Sequence, residues 1–155
     1  MIQDSGTRRE FETGAVRDIQ EGKGRCDLLP LDVIAEIYPG DTFQQICGIY
    51  KFTRDGNVGW LYEVIAATRP QFGDYSTMFL EVAKHFEEGA KKYSEDNWRL
   101  GINAKNYIDS AVRHLFKWLR GDDDEHHERA FVWNILCCIW TAKHKPELND
   151  YLKGN

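Results

Sequence analysis

The strongest constraint in this chain is a helical period repeated in three long segments between Thr77 and Pro146. Residues three and four apart share one face of an α-helix, so apolar side chains at that spacing need cover from a neighbouring element. From about Thr77 to Tyr93, that face carries Phe79, Val82, Ala83, Phe86, Ala90 and Tyr93. After Asn103 the pattern resumes with Ile108, Ala111, Val112, Leu115 and Leu119, and stops before Gly121. A third helix is expected from near Asp123 to Pro146, with Phe131, Val132, Ile135 and Ile139 inward. Lys143, His144 and Lys145 suit the negative end of its dipole.

Shorter helices precede these three. Pro30 fits the first turn of a helix reaching about Ile37, and Pro39-Gly40 stops it. Asp41 or Thr42 caps the next helix, which carries Phe43, Ile46, Cys47 and Tyr50 and ends at Gly56. Asn57 then caps a helix bearing Val58, Leu61, Tyr62 and Ile65. The expected fold class is all-α, a helical bundle preceded by an irregular Gly/Arg-rich arm. The expected division is an arm over 1–27, a helical domain over 28–146 and a tail over 147–155.

With 155 residues and 13% aromatics, the chain suits one domain with a real core. Its net charge of −5 argues against duplex DNA as a partner. Cys26, Cys47, Cys137 and Cys138 form no CxxC pair, so neither a zinc site nor a disulfide framework is indicated. The polar start lacks a targeting signal, and the apolar run from Phe131 to Ala142 contains Asn134 and is too short to span a bilayer. A cytoplasmic location without membrane contact is therefore expected.

On these helices, Glu87 falls at the edge of the apolar arc, and Asp109 flanks the next one beside Phe116. Extending the last helix backwards turns Asp124 and Glu128 inward, with His127 and Asn134 along one edge. Converging carboxylates repel each other unless a hard cation such as Mg²⁺ or Mn²⁺ joins them. The competing reading pairs them with nearby cations such as Lys91 and Arg113. His126 and His127 point in different directions on a helix and do not easily share one metal, so His127 reads as a supporting or phosphate-contacting group.

Lys23 and Arg25 sit among glycines whose backbone can present N–H groups to an anion, although no Walker A spacing is present. After Glu87 come Lys92, Asn97 and Trp98; Trp98 can stack on a base and Asn97 can read a base edge, or both can simply pack a loop.

Five segments occur in a fixed order: GAVRD from Gly14, EGKGRCDLLPLDVI from Glu21, FEEGAKKYSEDNW from Phe86, YIDSAVRHL from Tyr107 and AFVWN from Ala130. Together they resemble the phage dATP/dGTP diphosphohydrolase family over roughly residues 5 to 142. That family is similar to MazG-type all-α NTP pyrophosphatases and occurs in viruses that replace adenine with 2-aminoadenine. The resemblance implies hydrolysis between the α and β phosphates, removal of dATP and supply of dGMP. It also implies a homo-oligomer in the host cytoplasm, and it carries over to Arg17, Lys23, Arg25, Asp27, Lys92, Asn97, Trp98, His114, His127 and Asn134 as nucleotide-binding positions. The MazG-type signature pairs carboxylates three residues apart, whereas Glu87 has Lys84 before it and Ala90 after it at that distance.

The mechanism expected from these readings places Glu87, Asp109, Asp124 and Glu128 around Mg²⁺ or Mn²⁺, with Glu87, Asp109 and Arg113 catalytic and a purine dNTP as substrate. The rival is a non-enzymatic helical phage protein that binds a host or viral protein.

Overall fold

The computed structural model describes residues 5–152. Residues 1–4 of the expected arm and 153–155 of the expected tail lie outside the described residues. A small antiparallel hairpin pairs β1 (Arg8–Glu10) with β2 (Val16–Asp18). Six α-helices follow among the described residues: α1 (Leu31–Ile37), α2 (Gly40–Asp55), α3 (Gly59–Phe72), α4 (Tyr75–Lys92), α5 (Ala104–Arg120) and α6 (His127–His144). The all-α reading therefore holds, with the hairpin as its one addition. No described helix is long and apolar enough to cross a membrane.

α5 and α6 form the most extensive helix pair and sit at the centre. Ile108, Ala111, Val112 and Leu115 of α5 meet Phe131, Val132 and Ile135 of α6 in one buried core. α2 and α3 form a second closely packed pair, and α4 leans on α6, where Arg129 bonds Glu81 through Nη2 at 2.6 Å. Gly56 takes φ 71° and closes α2, as its position between two apolar patterns suggests.

Several boundaries depart from the sequence reading, among them the N-cap of α3, which is Val58 and not Asn57. α2 starts at Gly40 with Pro39 as its N-cap, so neither Asp41 nor Thr42 caps it. α4 begins two residues early because the Asp74 carboxylate accepts the Thr77 N–H at 2.7 Å. α6 begins at His127, and the acidic stretch before it is a turn. Its four successive acids, Asp122 to Glu125, gain more from facing water and neighbouring cations than from a helical turn without apolar cover.

The orientation of α4 also needs correction. Its buried stripe is Met78 and Val82, continued by half-buried His85 and Phe86, while Phe79 and Leu80 are exposed. Leu119 of α5 is likewise exposed.

Gly48 of α2 sets how closely α3 approaches. A Cβ there would stand 2.6 Å from Val64 Cγ2 and 3.1 Å from the Trp60 carbonyl oxygen. Val64 is fully buried and β-branched, so it has little freedom to yield. Alanine in a helix gains about 1 kcal/mol over glycine, but forced overpacking costs about 1–3 kcal/mol. Gly48→Ala is expected to lower the thermal midpoint by several degrees in calorimetry; an unchanged or raised midpoint would show that α2 and α3 can separate freely.

Candidate functional site

A cavity of about 700 Å³ opens between the hairpin, α4, α5 and α6. The hairpin forms one wall because polar bonds pin it to the helices. The Asn97 side chain accepts the Val16 N–H at 2.8 Å and donates to the Val16 carbonyl at 2.9 Å. Arg9 Nη1 donates to Asn106 Oδ1 at 3.0 Å, and Thr13 Oγ1 donates to the Gly101 carbonyl. Further on, the Cys26 N–H donates to Asp109 Oδ1 at 2.7 Å, and Arg113 Nη2 donates to the Gly24 carbonyl at 2.5 Å.

The cavity is basic although the chain is acidic. Arg9, Arg17, Lys23, Lys92, Arg113, Lys117 and Arg120 line it, against Asp18, Glu95 and Glu125. Charge of one sign gathered in a concave, partly desolvated wall attracts a polyanion far more strongly than net charge suggests.

Arg17 is the deepest of these cations. Its guanidinium carbon lies 5.5 Å from the ring centres of both Tyr107 and Trp133, and Nη2 donates to Asn134 Oδ1 at 3.2 Å. Asn134 is held in turn by its own bond to the Ala130 carbonyl at 2.8 Å. Arg17 Nη1 is buried with no hydrogen-bond partner among the described residues, and the same holds for Arg9 Nε and Arg113 Nε. Burial lowers the Arg17 pKa from its ordinary value, with nearby Tyr107 acting in the opposite direction.

Several expected site residues fall elsewhere. Glu87 lies outside the cavity; its side chain is 72% exposed and pairs with Lys91 at 3.4 Å. It stands about 180° around the helix from buried Met78, a residue absent from the apolar face read in the sequence. Asp109 is buried, but both its oxygens accept from Arg113 Nη2 at 2.7 Å and one also takes the Cys26 N–H. It fastens the arm to α5 and does not line the cavity. For both carboxylates the competing reading, pairing with Lys91 and Arg113, is the one observed.

Glu128 lies 3.4 Å from His126 Nδ1, away from the cavity wall. Asp124 sits in the turn and meets His127 Nε2 at 2.7 Å. The expected four-carboxylate cluster is therefore not assembled. Arg25 and Asp27 pair with each other and do not line the cavity. Asn97 and Trp98 do line it, but Asn97 is occupied by the Val16 backbone, and Trp98 packs edge-on against Phe86 and Trp140. Lys23, which pairs with Asp18 at 3.1 Å, and Lys92, Arg113, His114 and Asn134 do line the cavity.

Among the described residues, two groupings bring metal-type donors within 4.8 Å of one another: His114, Glu125 and His127, and Asp122, Asp124 and His127. His114 Nδ1 and His127 Nδ1 are 2.9 Å apart. Both groupings include imidazole nitrogen, and of the four carboxylates expected around a cation only Asp124 belongs to either. Burial, then the charge of His127, pushes the His114 pKa well below its usual value.

Sequence reasoning missed Arg9, His85, Lys117, Arg120 and Glu125. Lys117 and Arg120 follow Arg113 at four and seven residues, so one edge of α5 was readable as a basic row. Arg9 offered no signal, because strands three residues long have no measurable period.

The fold and cavity define an all-α protein with a concave, basic site. Residues 75–151 match the family model described as dATP/dGTP diphosphohydrolase, N-terminal. The match runs from the start of α4 to Tyr151, about half of the chain, and makes this segment similar to that family. Neither a curated protein nor a solved structure matches the chain.

Burial, then the charges of Arg17 and Arg129, pushes His85 down to about 4. An unfolded histidine titrates near 6.5, so acid favours the unfolded chain below that value. The contribution is fully present above pH 6.5 and is lost as pH falls towards 4, on the order of 3 kcal/mol in all. His85→Gln is expected to flatten the fall in denaturant stability between pH 6.5 and 4; an unchanged slope would assign that fall to other groups.

Proposed function

We propose that this protein hydrolyses purine deoxynucleoside triphosphates, dATP or dGTP, to the monophosphate and pyrophosphate with the help of a divalent cation. The observation that carries the reading is a basic cavity in which a buried, incompletely bonded Arg17 faces helices α4 to α6, the part of the chain that matches this family's model. A triphosphate supplies the acceptor oxygens that Arg17 Nη1 and Arg113 Nε lack. Cleavage between the α and β phosphates is what the family resemblance implies.

In this reading Arg17 grips the phosphate chain from the arm side and Arg113 from α5. Guanidinium groups suit phosphate because their planar N–H forks match paired oxygens. Asn134 and the two aromatic rings hold Arg17 at a fixed angle, so little reorganisation is needed as charge develops on the leaving pyrophosphate. Lys23, Lys92 and Lys117 add charge at the rim. In this reading the described part of the arm, residues 5–27, belongs to the nucleotide site.

Bound near Glu125 and the histidine pair, the cation would lower the pKa of an attacking water and offset phosphate charge. Depleting dATP and supplying dGMP suits a pathway that builds 2-aminoadenine DNA. A homo-oligomer in the host cytoplasm is the setting the resemblance implies. Exposed Leu28, Val33 and Ile37 offer an apolar surface for such assembly.

Incubation with dATP or dGTP and Mg²⁺ or Mn²⁺, followed by chromatography, is expected to yield monophosphate and pyrophosphate in equal amounts. Absence of turnover with either nucleotide across metals and pH would favour a non-enzymatic binding role. Release of diphosphate and inorganic phosphate would move the cleaved bond. Arg17→Met is expected to lower kcat/KM by about 10²-fold or more, the scale set by losing one preorganised donor; near-normal kinetics would remove Arg17 from the phosphate site.

A further inference from the structure

We propose that His114, Glu125 and His127 form a divalent-cation site, with Asp124 orienting His127 from behind. The site deepens the hydrolytic reading above and rests on it for the substrate, but cation binding itself needs no nucleotide.

The argument begins with His127, which is 1% exposed at the first position of α6. Its Nε2 faces Asp124 Oδ1 at 2.7 Å. A carboxylate oxygen only accepts, so Nε2 carries the proton, and in the neutral form of the ring, the form that binds a cation, Nδ1 keeps a lone pair. That Nδ1 faces His114 Nδ1 at 2.9 Å. Two nitrogens that share one ion at about 2.1 Å stand about 3.0–3.4 Å apart, close to the spacing already present. In this geometry His114 Nδ1 donates a single proton to His127; when a cation enters, tautomer exchange moves that proton to His114 Nε2. Asp124 thus plays the outer partner of a carboxylate–histidine–metal arrangement, which fixes both ring angle and tautomer.

Glu125 supplies the third donor, with a carboxylate oxygen within 4.8 Å of a ring nitrogen on each histidine. Glu125 and His114 line the basic cavity, so the remaining coordination positions open towards bound phosphate or water. Three protein ligands with an open side is the pattern of a reactive rather than a structural site. The alternative grouping lacks that opening. Asp122 is engaged by Arg120, and neither Asp122 nor Asp124 lines the cavity. Two imidazoles also shift preference away from Mg²⁺ and towards Co²⁺ or Zn²⁺, which accept nitrogen ligands more readily.

The test is a titration of the chelator-treated full chain with Co²⁺ alone, read by visible absorption, and with Zn²⁺ alone, read by imidazole ¹⁵N resonances. Expected are about one Co²⁺ per chain, Zn²⁺-induced shifts of His114 and His127, and Mg²⁺ competing at least tenfold more weakly. Glu125→Gln, a change in the turn outside the core, is expected to weaken Co²⁺ at least tenfold, and Asp122→Asn to leave it unchanged. No Co²⁺ uptake, unmoved His114 and His127 resonances, or loss with Asp122→Asn but not Glu125→Gln would each overturn the site. Cation binding without nucleotide turnover would sink the hydrolytic reading alone. Turnover with neither histidine touching the cation would sink this proposal alone.

Discussion

Arg17 carries its guanidinium out of water between Tyr107 and Trp133, with Asn134 as its acceptor and one nitrogen left without a partner. Removing such a charge from water costs several kcal/mol unless something returns the lost interactions. Two aromatic faces and one amide return part of it. The remainder is the basis of the proposal that this cavity takes an anion.

The hairpin that delivers Arg17 could not hold itself in place, because a two-stranded ribbon this short is at best marginal in water. It is held by side chains of the helical domain: Asn97 on the Val16 backbone, Asn106 on Arg9, and Asp109 on the Cys26 N–H. Asp109 therefore acts on the cavity through position. It aligns Arg113 and closes the arm onto α5, so the two arginines face the same space from opposite sides. The asymmetry between an acidic chain and a basic cavity follows from this closure, which brings arm cations next to the basic row of α5.

Much of the fold was legible because long helices have a period that survives substitution at single positions. The end of α1 at Ile37, the Gly56 terminus and the limits of α5 were all readable. The face of α4 was not, because Met78 and His85 were left out of the apolar stripe and the whole helix was read rotated, carrying Glu87 inward. The site was less legible still. Helical spacing shows that Asp109 turns inward but not whether a metal or Arg113 awaits it. In the turn before α6, four acids stand in succession, and backbone geometry alone selects Asp124 for His127 and Glu125 for the cavity. The order of segments that resembles a known family carried more about function than any spacing did.

The central claim is that this cavity holds the triphosphate of a purine deoxynucleotide, gripped by Arg17 and Arg113. A crystal structure of the protein with a non-hydrolysable dGTP or dATP analogue tests it most directly. The account predicts phosphate oxygens within hydrogen-bond distance of Arg17 Nη1 and Arg113, with the arm still closed over α5. An analogue seated elsewhere, or one whose phosphates leave Arg17 untouched, would contradict it.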